Sequence, residues 1–180
     1  MSSSTTPRRA LLRYSADKRT LAFITLYFTM TALAWVFLPS SPIAIAAVML
    51  VLATSSWQCA VITHNTVHCP MFHSRRLNRL MQVVLTQTYG HPVSTFVPGH
   101  NLSHHKFVET EKDVMRTTKM RSNWNIINVL LFFPTVVPAI LKNDAVFAKG
   151  MKSKKPEWHK QLMLEAAVLA VISVALLVAD

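Results

Sequence analysis

Three glycines in 180 residues are too few for glycine-rich phosphate-binding loops. Charge is missing where a soluble domain would carry it: no Asp, Glu, Lys or Arg occurs from Thr20 to His64. That run exceeds the roughly 20 apolar residues one membrane helix needs, and it suits two. The only cysteines, Cys59 and Cys69, make no disulfide framework and match no metal or redox spacing. Acids are scarce as well, with 8 Asp and Glu against 19 Lys and Arg. The polar first nineteen residues lead into an apolar segment too long for the core of a signal peptide.

What is present is apolar and basic. The chain is 51% hydrophobic, with mean hydropathy +0.30 and a net charge of +11. In a soluble protein such a charge would suggest nucleic acid. Here no nucleic-acid-reading element accompanies it, and the apolar runs favour a membrane face opposite anionic lipid. A nucleic-acid partner is therefore excluded.

Three spans are expected. Residues 21–38 and 43–63 form a helical hairpin around the turn Pro39-Ser40-Ser41-Pro42, since proline begins and ends helices but does not sit inside them. Residues 162–179 form the third span, with Pro156 near its start and Trp158 at the interface. Val129–Leu141 is apolar but short and holds Pro134 and Pro138, which predicts a re-entrant or interfacial segment. Ser74 is expected to cap a helix whose apolar stripe is Leu77, Leu80, Met81 and Val84, lying on the membrane surface or packed in the core. Trp57 suits either an interface or the interior.

Charge bias orients this plan. Arg8, Arg9, Arg13, Lys18 and Arg19 precede the first span, and the remaining basic residues lie between His64 and Gln161. A cytosolic tail at 1–19 and a cytosolic or interfacial region at 64–160 would put them all inside, as the positive-inside rule prefers. The fold class is thus all-α: an integral membrane helical protein forming one domain over 1–180.

The eight histidines all follow this hairpin's apolar core. "HNTVH" holds His64 and His68; "HNLSHH" holds His100, His104 and His105. On an α-helix, residues four apart share a face, so His64 with His68, and His100 with His104, can each point at one metal. His105 lies about 100° further round and can complete that shell or reach a second metal. One HxxxH alone would be a ligand less often than not, but two such clusters on one side of a membrane hairpin point to a metal. Asn65 stands where a zinc peptidase would carry its general-base Glu, which disfavours peptide hydrolysis. Fe, Cu, Zn and Ni all suit nitrogen donors, and spacing does not choose among them. His73, His91 and His159 are assigned no role. Glu109, Glu111 and Asp113 follow the second cluster closely enough to orient its rings, or else they pair with Lys112 and Arg116.

The stretches "THNTVHCPMFHSRRLN" and "PGHNLSHHKFVETEKDVMR", together with the preceding hairpin, resemble the membrane fatty acid desaturase and hydroxylase superfamily over roughly residues 20–180. The resemblance implies a non-haem di-iron centre on the cytosolic side of a bacterial plasma membrane or endoplasmic reticulum. It implies O2-dependent removal of hydrogen from a membrane lipid or acyl chain, with electrons from a donor such as cytochrome b5 or ferredoxin. His64 and His68 match the first histidine box; His100, His104 and His105 match the second. The activity expected is that of a fatty acid desaturase introducing a C=C bond. A lipid hydroxylase or carotenoid ketolase of the same superfamily is the alternative, as is a non-catalytic membrane protein binding metal or lipid. The superfamily's third box has no counterpart here, so the expectation is an N-terminal fragment, inactive alone.

Overall fold

The computed structural model describes residues 10–37, 39–117 and 126–179, with only the backbone at 128 and 129. Arg8 and Arg9 of the basic tail, and Leu38 at the end of the first expected span, lie outside the described residues. The described chain is helical without a strand, and it divides at Gly90/His91 into two compact units.

The first unit holds α1 (Asp17–Val36), α2 (Pro42–His68) and α3 (Arg75–Tyr89). Helix α2 begins with Pro42 in its first turn, where a missing N–H costs nothing. It ends at His68 because Pro70 disfavours helical geometry at Cys69. Helix α3 starts as expected: the Ser74 hydroxyl oxygen accepts from the Leu77 N–H at 3.4 Å. It stops at Gly90, whose φ of 71° closes a left-handed cap that a side chain would strain.

Helix α2 packs on both α1 and α3. Where it meets α3 the buried residues are mostly small or hydroxylated: Cys59, Thr63, Thr86 and Thr88. Such residues let membrane helices approach closely. The Thr63 and Thr86 hydroxyls donate back to carbonyls one turn earlier, at 2.9 and 2.8 Å. Ser56 Oγ crosses to the Thr88 carbonyl at 2.7 Å. The apolar stripe expected on α3 is rotated. Leu85 is fully buried, while Leu80 is 59% exposed. Trp57 is 63% exposed and so does not face the interior.

A short strap secures the loop after α2. Leu12 pairs antiparallel with Phe72, and the Arg13 N–H donates to the Met71 carbonyl at 2.8 Å. Asn78 closes the same loop by exchanging two hydrogen bonds with the Phe72 backbone, at 2.8 and 3.0 Å.

The second unit runs from a 3₁₀ turn (Val93–Thr95) into a π-helical segment (Val97–His104) and the single turn α4 (His105–Phe107). The long helices α5 (Ile126–Lys154) and α6 (Pro156–Val178) follow. The expectation that the apolar run at 129–141 is a short separate segment, re-entrant or interfacial, is corrected in its length. Those residues belong to a helix of 29 residues that passes through Pro134 and Pro138 without ending. Each proline removes one backbone hydrogen bond, which apolar membrane helices tolerate where neighbours satisfy the freed carbonyls. The helix continues past Leu141, and Asp144 within it is buried. By length and composition four described helices can cross a membrane, where the sequence pattern suggested three. Pro156 again starts a helix, and Phe147 meets Trp158 edge-to-face at 5.2 Å across the α5–α6 turn.

Candidate metal centre

His64 and His68 occupy the last turns of α2, one above the other as their spacing requires. Their rings stand 4.9 Å apart, and each offers a ring nitrogen within 4.8 Å of the other's. His64 is half-buried and His68 exposed. Both lie beside the negative end of the helix dipole, where a cation is favoured. Cys69 follows immediately but is exposed and stays a free thiol.

The second cluster departs from the α-helical geometry expected of it. Its backbone closes i→i+5: the His105 N–H donates to the His100 carbonyl. One extra residue per turn changes which rings meet. His100 meets His105 edge-to-face, with their Nε2 atoms 3.0 Å apart, and stacks on His104 with ring centroids 5.6 Å apart. At metal–nitrogen distances of about 2.1 Å, two ligands about 90° apart would be about 3.0 Å from each other. A shared hydrogen bond spans the same distance, so the pair is set for a proton or a cation. His100 is buried and His105 exposed.

His104 has a carboxylate partner of its own. Its Nδ1 lies 2.9 Å from Oδ2 of Asp113, which is 0% exposed. The same carboxylate accepts the N–H groups of Glu109 at 3.0 Å and Met115 at 2.9 Å. Burial pushes the Asp113 carboxyl up. The bonds from Met115, Glu109 and His104 outweigh that and hold it below the usual range. An ionised carboxylate only accepts, so Nδ1 of His104 carries the hydrogen. In the neutral ring Nε2 then keeps a free lone pair, the tautomer a metal ligand needs.

Of the three acids that could orient a ring, Asp113 alone is seen to do so. The Glu109 side chain accepts from the Thr117 N–H and hydroxyl at 3.1 and 2.9 Å, and Glu111 is exposed. Ser103 ties the loop together by donating to the Lys112 carbonyl at 3.3 Å and accepting from the Val114 N–H at 3.1 Å.

Two further acids were not singled out by the sequence pattern. Glu165 is buried in α6 and accepts from Ser94. Asp144 is buried in α5, and neither of its oxygens has a hydrogen-bond partner among the described residues. Its Oδ1 lies 3.7 Å from where a Cβ on Gly99 would stand, directly before His100. The signal for both was an acid inside an apolar helix, which is costly unless it has work to do. His73 joins the strap through its backbone, His91 bonds Thr95 Oγ1 at 2.9 Å, and His159 is half-buried on α6.

The donor set fits a transition metal. It is rich in imidazole, and a buried carboxylate fixes the tautomer of His104. A family model for fatty acid desaturases matches residues 39–179. No curated protein and no solved structure matches the chain. The matched residues include both histidine clusters and helices long and apolar enough to cross a membrane, and the chain belongs to the fatty acid desaturase family, an integral membrane protein of a desaturase-type oxidoreductase superfamily.

Proposed function

We propose that the protein is an O2-dependent di-iron desaturase of membrane lipid acyl chains, with His64, His68, His100, His104 and His105 as iron ligands. The observation that carries this reading is the second cluster. There the Nε2 atoms of His100 and His105 face each other at 3.0 Å and Asp113 orients His104, within a chain of the desaturase family. Iron, when bound, supplies the one-electron chemistry that activates O2 and removes hydrogen from an unactivated C–H bond.

The protein's own residues hold and orient. Asp113 keeps the hydrogen on His104 Nδ1 and so keeps Nε2 open. The end of α2 adds a favourable dipole at His64 and His68. Imidazole ligands would carry no negative charge and so would leave a bound metal its full positive charge. The exposed apolar surfaces of the long helices match acyl chains in the bilayer. The basic tail at 1–19 and the region 64–160 are assigned to the cytosolic side, of a bacterial plasma membrane or the endoplasmic reticulum, by the positive-inside rule. A basic face of this kind suits an acidic electron donor such as cytochrome b5 or ferredoxin, so association should weaken with salt.

The test is lipid analysis of aerobic cells expressing the protein, beside cells expressing the His64→Ala/His104→Ala variant. The expected product has lost two hydrogens from an acyl chain, and only in the unmodified protein. An added oxygen instead would make the protein a hydroxylase or ketolase. Identical lipids in both strains would overturn the catalytic reading.

A further inference from the structure

Glu165 is the one ionisable residue in Leu162–Val178, the most apolar part of α6. It is 0% exposed, and both its oxygens are used. Oε2 accepts the Ser94 N–H at 2.8 Å. Oε1 accepts the Ser94 hydroxyl at 2.9 Å and the Gln161 amide at 2.9 Å. An acid in such a helix is expensive, and an apolar residue of similar size would pack there at less cost. Its presence therefore calls for a role in what it holds.

What it holds is a single residue, gripped at both backbone and side chain. Ser94 is the middle of the 3₁₀ turn Val93–Thr95 and is itself buried. Within the turn, Thr95 Oγ1 donates to the Pro92 carbonyl at 2.6 Å and meets His91 Nδ1 at 2.9 Å. Phe96 then leads directly into the π-helical segment that carries His100 and His104 and delivers His105. The register of that segment decides that His100 meets His105 while His104 meets Asp113. A strained i→i+5 backbone needs its entry point fixed, since the same residues can relax into an α-helix. From these contacts we infer that Glu165 is a positioning residue, which clamps Ser94 to α6 and thereby holds the second histidine cluster in its metal-binding register.

This inference rests on the metal-centre reading, and two readouts separate the two. The full chain is purified in detergent as wild type, Glu165→Leu, Glu165→Gln and Ser94→Ala. Cobalt(II) is titrated as the probe and followed by its visible absorption. Amide hydrogen exchange is measured over 93–105 and, as an internal reference, over 60–68.

Glu165→Leu should lower cobalt affinity about tenfold, the lower end of the cost of losing an outer-shell partner, and should change the cobalt spectrum. Exchange over 93–105 should accelerate while 60–68 stays unchanged. Glu165→Gln can still accept the Ser94 N–H and donate to its hydroxyl, so it should recover most of the affinity and the spectrum. A folded Glu165→Leu protein with wild-type cobalt spectrum, affinity and exchange would overturn the clamp. If Glu165→Leu does not fold, Ser94→Ala decides: faster exchange over 93–105 supports the clamp, and unchanged exchange overturns it. If the wild type takes up no cobalt, the metal reading fails, and exchange over 93–105 alone judges the clamp.

Discussion

Replacing Asp113 should uncouple metal binding from folding, because its carboxylate accepts from three donors that no neutral side chain can satisfy together. Oδ2 takes His104 Nδ1 and the Glu109 N–H; Oδ1 takes the Met115 N–H. In Asp113→Asn one carboxylate position becomes an amide NH2. Placed at Oδ2, it opposes the Glu109 N–H and can bond His104 only if that ring surrenders its Nδ1 hydrogen. The hydrogen then sits on Nε2 and blocks the lone pair. Placed at Oδ1, the amide opposes the Met115 N–H, and His104 keeps only a neutral acceptor, about half as strong as an ionised one. Either way one buried N–H loses its partner, costing about 1–3 kcal/mol. That cost falls on the 103–117 loop and leaves the long helices alone. Metal affinity should fall about 10–100-fold, the usual penalty for losing a ligand's carboxylate partner. The assay is cobalt titration of the purified protein, with circular dichroism confirming unchanged helix content. Wild-type affinity in a folded Asp113→Asn protein would refute the argument that Asp113 sets the His104 tautomer.

Other outcomes follow from the same geometry. Burial lowers the pKa of His91 from 6.5, partly offset by a bond to the Pro92 backbone. Below about pH 6.5 the unfolded chain therefore takes up the proton before the folded one does, and stability falls with pH. His91→Gln should flatten the slope of Tm between pH 7 and 5, and an unaltered slope would count against this origin. Asp144→Leu should leave Tm unchanged or raise it, since it removes a buried carboxylate with unpartnered oxygens; a fall of several degrees would show that Asp144 has a partner in the membrane. Topology is tested by Thr110→Cys and Ser153→Cys, each made with Cys59 and Cys69 changed to serine and labelled with an impermeant maleimide. Charge bias predicts that both label from the same side, whereas opposite sides would mean that α5 crosses.

Local chemistry was legible in the sequence where it acts over a few residues. Pro70 ends α2 and Ser74 begins α3 because each decision is made within one turn. The ring pair of His64 and His68 follows from α-helical periodicity alone. The His100–His105 pair does not, because a π-helical register has no periodic signature in "HNLSHH" and comes from how the segment is held. The length of α5 was hidden for a related reason. Pro134, Pro138 and the Lys142-Asn143-Asp144 run each look like an ending, yet the helix runs through all three. Spacing left the stripe of α3 either on the membrane surface or in the core; Leu80 faces outward, which suits the first, while Leu85, Thr86 and Thr88 take the interior. Glu165 was not singled out because its partner Ser94 lies 71 residues earlier, beyond any local pattern.

The central claim is tested most directly by iron. The protein is purified from cells grown with iron, and its metal content per chain is measured for the wild type, for His68→Ala and for the double variant His100→Ala/His105→Ala. If the five histidines hold a di-iron centre, the wild type carries iron, each variant loses a substantial share of it, and the proteins keep the same helical content. Iron bound equally in all three, or in none, would contradict the assignment of these histidines as ligands.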